Sequence, residues 1–325
     1  MTKPDVALGW ARGCAIVLAL AILAAAPSHA ADKLRIGKPE ATGFDFTPVE
    51  VGIETGIFAK SNIEAESIAF GGAAREQQAL IAGSIDVALG SGLEMAAIVK
   101  GAPEMAVAAM YGAPRNMCII VLPNSQVKDV SQLRDKSIAV SGPGSLTAWV
   151  AKETSNRQGW GPDGVKLVGL GSLAGMTAQL FSGNVDASVD STENAYLLQS
   201  QGRARILVSM GKIIPEFVTH VIFASNDLIG RNPDLLRRFL KAWFETIAFM
   251  NTHEEETLRI TDKITGLTPE IAKTVYQEQM PMFSRDGRFD PKAHAVVQRT
   301  FSDLKLLDHA PEMKTLYTEQ YLPAR

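Results

Sequence analysis

The stretch 68-IAFGGAAREQQALIAGSIDVALGSG-92 recurs one hundred residues later as 168-VGLGSLAGMTAQLFSGNVDASVDST-192, and the two align without a gap. Gly71 falls over Gly171, Ala74 over Ala174, Leu80 over Leu180, Gly83 over Gly183 and Asp86 over Asp186. Each copy reads as strand, glycine turn, helix, glycine C-cap, strand and polar loop. Gly83 and Gly183 stand where a helix exits through a left-handed residue, a position at which a side chain clashes. The aspartates suit the start of a strand, where they are expected to accept hydrogen bonds from nearby backbone; direct ligand contact is the other reading.

The same grammar extends on both sides of each copy. LRIG (34–37) is a strand, 49–62 reads as a helix, IEAESIAF (63–70) as a strand and 73–83 as a helix, followed by a strand, a glycine-rich loop, a helix and the strand MAVAAMY. The pattern restarts at KSIAVS (136–141) and runs through a helix from Leu146, the strand VKLVGL (165–170), a further helix and VDASVD. Strands alternating with helices over short connections predict an α/β fold whose sheets are mostly parallel and flanked by helices.

Ligands of open α/β sheets bind beyond the carboxyl ends of the strands, where helix N-termini offer unpaired N–H groups and a favourable dipole. Two copies of the unit therefore predict two half-sites facing each other across a cleft. Gly72, Ala73 and Ser91 would line one side, and Ser145, Leu146, Thr147, Ser172, Ser191 and Glu193 the other. Ser145 and Thr147, in 142-GPGSLT-147, also read as ordinary N-capping residues, and the two roles are compatible. In 43-GFDFTP-48, Phe44 and Phe46 are expected as exposed loop aromatics that stack on a ligand. Arg115 is the cation expected to meet a carboxylate or sulfonate, with a solvated surface arginine as the alternative.

Other features bound the class. Lys3 and Arg12 precede an apolar run from Ala15 to Ala26, which is followed by 28-SHA-30. A dozen apolar residues fall short of the ~20 needed to span a bilayer. The flanks match a secretory signal, residues 1–30, cleaved after Ala30 to release a soluble periplasmic protein; a buried core helix is the other reading. Of the two cysteines only Cys118 lies beyond that point, so no disulfide framework can form within one copy. A net charge of −3 with dispersed acids and bases gives no basic stripe for nucleic acid. His220, His253, His294 and His309 lack metal-ligand spacing, and no GxSxG, P-loop or HExxH motif is present. No catalytic residue, metal site or cofactor is expected.

Together LRIG, VEVGIETGIFAKSNIEAE, FGGAAREQQALIAGSIDVALGSG, CIIVLPNS, DVSQLRDKSIAVSGPGSLT and LFSGNVDA resemble the periplasmic substrate-binding proteins of nitrate/sulfonate/taurine-type ABC importers. The similarity runs from about Leu34 to Asn232 and rests on the order and spacing of the motifs. The resemblance implies a two-lobed type II periplasmic binding protein fold that closes over one small-molecule solute and delivers it to an ABC transporter permease in the inner membrane. It implies a monomer with lobe 1 formed by 31–117 plus 222–325, lobe 2 by 118–221, and CIIVLP and HVIFAS as the crossover strands. The helix from Asn232, with Leu235, Leu236, Phe239, Leu240, Trp243, Ile247 and Phe249 at helical spacing, should pack back on lobe 1 with the segments that follow.

The chain departs from that family at 186-DASVDSTENAY-196, where relatives carry a Trp-Glu-Pro element. Asp190 and Glu193 place two acids there, which disfavours a small bare anion such as nitrate and points to a larger solute, zwitterionic or rich in hydrogen-bond donors. Two other readings stand beside transport. One is a periplasmic sensor subunit presenting ligand to a signalling receptor. The other is the thiamine-pyrimidine-synthase branch, which the fold resembles but whose cysteine-rich motif is missing.

Overall fold

The computed structural model describes residues 30–214 and 216–324; the expected signal segment lies outside the described residues except for Ala30. Its strands form two five-stranded sheets. The first contains β1 (Asp32–Lys38), β2 (Ile63–Ala69), β3 (Val87–Ser91), β4 (Glu104–Tyr111) and β10 (His220–Ser225) in the order β2-β1-β3-β10-β4. The second contains β5 (Met117–Val121), β6 (Ser137–Val140), β7 (Lys166–Gly169), β8 (Ala187–Ser191) and β9 (Arg205–Ser209) in the order β7-β6-β8-β5-β9. The two orders are the same once β1 is matched to β6, and β10 to β5.

In each sheet four of the five strands run in one direction, as expected, and one runs against them. β1 and β6 run parallel to both neighbours, but β10 and β5 run antiparallel to both of theirs. The cause is connectivity: β5 enters the second sheet directly after the chain leaves the first, and β10 returns the other way. Each arrives against the direction of the local βαβ strands. The first sheet holds the chain through Tyr111 and takes it up again at His220, which pairs with Ser91 and Tyr111.

The sequence repeat is also a repeat of contacts. Asp86 Oδ2 accepts the Arg35 backbone N–H and Nε–H, both at 2.9 Å. Asp186 Oδ2 accepts the Ser137 N–H at 2.8 Å and its hydroxyl at 2.7 Å. Each carboxylate, one residue before β3 or β8, thus ties the entry of that strand to its parallel neighbour β1 or β6. Gly83 and Gly183 adopt φ of 71° and 73° just past their helices. The expected helix over 49–62 is instead two, Pro48–Glu54 and Ile57–Lys60, because Gly56 takes φ 70° between them.

Helix Pro233–Thr252 follows the predicted periodicity. Asn232 caps it by accepting the Leu235 N–H at 3.0 Å, and Pro233 occupies its first turn, where the missing N–H costs nothing. Its buried face, including Leu236, Phe239, Leu240 and Trp243, joins Leu34, Ile36, Val87 and Ile222 of the first sheet in one core. Helix Pro291–Asp303 sends Val297 and Phe301 into the other core, which also holds Ile119, Ile138 and Val189 of the second sheet. No described helix is long and apolar enough to cross a membrane.

Candidate functional site

A cavity of about 130 Å³ lies between the two sheets. Its walls come from beyond the carboxyl ends of β1, β3, β6 and β8 and from the first residues of β5 and β10, which is where the doubled unit points its loops. Pro39, Glu40, Thr42, Gly43, Asp45, Phe46, Gly72, Ala73, Ser91 and Glu94 line it from the first sheet's side. Ser141, Ser145, Leu146, Thr147, Leu173, Met176, Val189, Asp190 and Ser191 line it from the second, with Asn116, Met117 and His220 between the two sets.

Of the twelve residues expected at the site, the structure brings eight together on this cavity: Phe46, Gly72, Ala73, Ser91, Ser145, Leu146, Thr147 and Ser191. The hydroxyls there also serve the backbone. Ser91 accepts the Leu93 N–H, Ser145 that of Ala148 and Ser191 that of Asn194, while Thr147 Oγ1 accepts the Ser141 N–H at 2.8 Å. Capping and lining therefore coincide.

The other four do not line the cavity. Phe44 and Phe46 are not exposed loop aromatics; both are buried in the 3-10 helix Phe44–Phe46. The tight turn sends Phe44 into the core against Tyr276 and Phe283, with ring centroids 6.2 and 6.1 Å away, and Phe46 toward the cavity against the His220 ring at 4.9 Å. Glu193 is buried behind the cleft, where Oε1 accepts the Phe44 N–H at 3.0 Å; it ties the helix Thr192–Ser200 to the first sheet's side. Ser172 caps its own helix through Gly175 N–H. Arg115 is exposed and its side chain lies against Gly211, because the turn Pro114–Asn116 sends Asn116 inward and Arg115 out.

The polar centre of the site is a cluster that sequence reasoning missed. Asp45 Oδ2 receives His220 Nε2 at 2.7 Å and Asn116 Nδ2 at 3.0 Å. All three are buried, at 4%, 6% and 3% exposure, and Asn116 and His220 stand where the chain enters β5 and β10. Nearby, Tyr111 donates to Gln279 at 2.8 Å and Gln279 donates to Thr192 Oγ1 at 3.0 Å, bridging the two sheets below the cavity. A signal for His220 existed, since it opens the second expected crossover strand; Asp45 and Asn116 carried none.

The lips of the cleft meet at one point. Gly72, with φ 153°, approaches the Gly171 carbonyl so closely that a Cβ there would lie 2.7 Å from the oxygen. The glycine turns of the two repeats thus touch each other over the cavity.

Burial shapes the carboxyls. It lifts Asp190 to about 7 against the hydrogen bonds from Asn194 and Ser191, and Glu193 to about 7 with help from Asp45. Glu104, at the start of β4, and Glu76, on the inner face of the helix Ala73–Ile81, are raised to about 7 and about 8 by the same cause. Each keeps a proton in the folded chain that the unfolded chain releases near pH 3.8 for Asp190 and 4.5 for the glutamates, so stability falls as pH rises from there to about 8. His294 is shifted down by burial and acts in the opposite sense, one group against these four and against Glu40, Glu94 and Asp262, which burial also raises. The ligand-free protein is expected to melt at a higher temperature at pH 5.5 than at pH 8; a melting temperature that climbs across that range would contradict these assignments.

The family model described as NMT1/THI5 like matches residues 43–257. The chain belongs to the NMT1/THI5-like family. No curated protein matches it in sequence. Among solved structures, the NMT1/THI5-like chain is similar to the alkanesulfonate-binding protein SsuA from Xanthomonas axonopodis pv. citri bound to MOPS, at 17% identity and TM-score 0.76 over 88% of this chain and 98% of that one. It is similar to the periplasmic aliphatic sulphonate binding protein SsuA from Escherichia coli at 19% identity and TM-score 0.72, over 88% and 92%. The desulfurization enzyme DSZB matches at 17% identity and TM-score 0.64, over 89% and 97%. The fold is that of the two-lobed periplasmic binding proteins.

Proposed function

We propose that this NMT1/THI5-like protein is the solute-binding component of an ABC importer, which captures a small organic solute in the periplasm by lobe closure and hands it to an inner-membrane permease. The observation that carries the reading is the cavity between the two sheets, walled by equivalent capped loops of both and edged by the close approach of Gly72 to the Gly171 carbonyl. A ligand that touches both walls favours the closed arrangement by its differential affinity for it. Delivery then needs only that the lobes part.

DSZB shares the fold, so the fold alone does not separate binding from catalysis. Binding is favoured here by the state of Cys118, the one described cysteine. Its thiol is buried beneath Asp190, Sγ lying 3.6 Å from that residue's carbonyl oxygen, and burial raises it well above its ordinary value, the reverse of what a nucleophile needs.

The test begins with native protein purified from periplasmic extract and denatured to release its solute, which mass spectrometry identifies. Refolded protein should bind that solute one to one, return it unaltered and contract in solution scattering. Recovery of a chemically changed product would favour an enzyme, and binding without contraction would count against delivery by closure.

A further inference from the structure

The lining of the cavity is chemically one-sided. Glu40, Asp45, Glu94 and Asp190 are among its lining residues, and no described lysine or arginine is. Its basic group, His220, already serves Asp45 through Nε2; that nitrogen carries the proton, so in the neutral ring Nδ1 is an acceptor. Asn116 uses Nδ2 on the same carboxylate and keeps Oδ1 as an acceptor. His220 Nδ1 and Asn116 Oδ1 are both buried with no partner, on residues more than nine-tenths buried that line the cavity. Buried polar atoms are rarely left unpaired without a reason, and both of these ask for a donor.

Part of the hydroxyl donor capacity is already spent, although Ser91 and Ser191 only accept from backbone N–H groups. Ser145 Oγ donates to the Gly142 carbonyl at 2.7 Å, and Thr147, Ser141 and Ser145 bond among themselves at 2.8 to 3.0 Å. The remaining walls are apolar, from Phe46, Met117, Leu146, Leu173, Met176 and Val189. The volume, about 130 Å³, is near that of an engineered cavity of ~150 Å³ that holds benzene.

We propose that the solute is a small organic cation, with an apolar body about the size of one six-membered ring and a protonated nitrogen group, ammonium or amidinium, that donates to the acceptors of Asn116, His220 and the surrounding carboxyls. This rests on the solute-binding reading above and adds the charge and size of what is bound. A sulfonate or carboxylate in the same place would find no free counter-cation, and Asp45 already holds the donors of His220 and Asn116. A cation favours the ionised form of the carboxyls of Glu40, Glu94 and Asp190, which burial raises, and satisfies both orphaned atoms.

The test uses full-length processed protein and probes matched in bulk: benzylammonium and benzamidinium as cations, benzyl alcohol as the neutral form, benzoate and benzenesulfonate as anions. Calorimetric titration is read together with thermal shift and solution scattering at pH 7.5. At least one cation should bind tenfold or more tightly than benzyl alcohol and contract the protein, with neither anion detectable. Asp190→Asn should weaken the cation at least tenfold, and Glu40→Gln, on the half-buried rim where folding is not at stake, should weaken it severalfold. Absence of any cation response overturns the proposal, as does equal binding by an anion. If an anion binds and contracts the protein, the solute-binding reading survives and only the charge assignment fails. If neither the probes nor the solute recovered from native protein cause contraction, both fail.

Discussion

Replacing Gly72 with alanine is expected to lower affinity for the recovered solute about a hundredfold while leaving the separate lobes folded. The added Cβ would meet the Gly171 carbonyl oxygen at 2.7 Å, well inside contact distance. Backbone cannot swing aside as a side chain tip can, so the clash is relieved by parting the lobes. The clash therefore falls on the closed state, over and above the backbone strain that φ 153° imposes in both states, and a selective penalty of ~2.8 kcal/mol corresponds to a hundredfold in affinity. Gly171→Ala is the control. Gly171 has φ 79° but nothing within 4 Å of the position a Cβ would take, so that change should cost ~1–3 kcal/mol of backbone strain in open and closed states alike. Stability drops and affinity holds. Titration calorimetry and scattering on both variants separate the cases; if Gly72→Ala binds and contracts like the parent, the glycine contact does not limit closure.

Asp45→Ala is expected to be the most destabilising single change at the site, by about 2–6 kcal/mol, since each of two buried donors left unpaired costs about 1–3 kcal/mol. The alanine would leave His220 Nε2–H and Asn116 Nδ2–H, at present 2.7 and 3.0 Å from Asp45 Oδ2, buried and unpaired. Asp45→Asn keeps one acceptor oxygen and should lose clearly less. Because Asn116 and His220 open β5 and β10, the loss should appear as increased amide exchange in both strands, not in the 3-10 helix alone. A shift in the urea midpoint equivalent to less than ~1 kcal/mol for Asp45→Ala would mean that the cluster is not what holds the crossing strands together.

Local chemistry made much of the fold legible. The doubled unit could be read because glycine C-caps, helical periodicity and β-rich runs are short-range signals, and each reappears as an element within a few residues of its expected place. The capping hydroxyls of Ser91, Ser145 and Ser191 were legible as cavity-lining residues for the same reason, since one local geometry both ends a strand and opens a helix at the cleft. Phe44 and Phe46 show where such reading stops. Two aromatics in a glycine- and proline-flanked loop looked exposed, yet a single 3-10 turn sends one into the core and the other to the cavity. Arg115 and Asn116 divide in the same way, the charged neighbour outward and the neutral one into the site.

By itself the sequence determined that this protein has two like α/β halves, with paired loops at the carboxyl ends of their strands, because those features depend on backbone conformation and on contacts near in the chain. Only the tertiary structure decided the polarity of the fourth strand in each sheet and the character of the site. Asp45, Asn116 and His220 are separated along the chain by 71 residues and more and become neighbours only when the chain crosses twice between the sheets. No local pattern marks residues whose partners lie in another lobe. The charge of a cavity is likewise a sum over side chains from many segments, and which of them face inward is settled by packing.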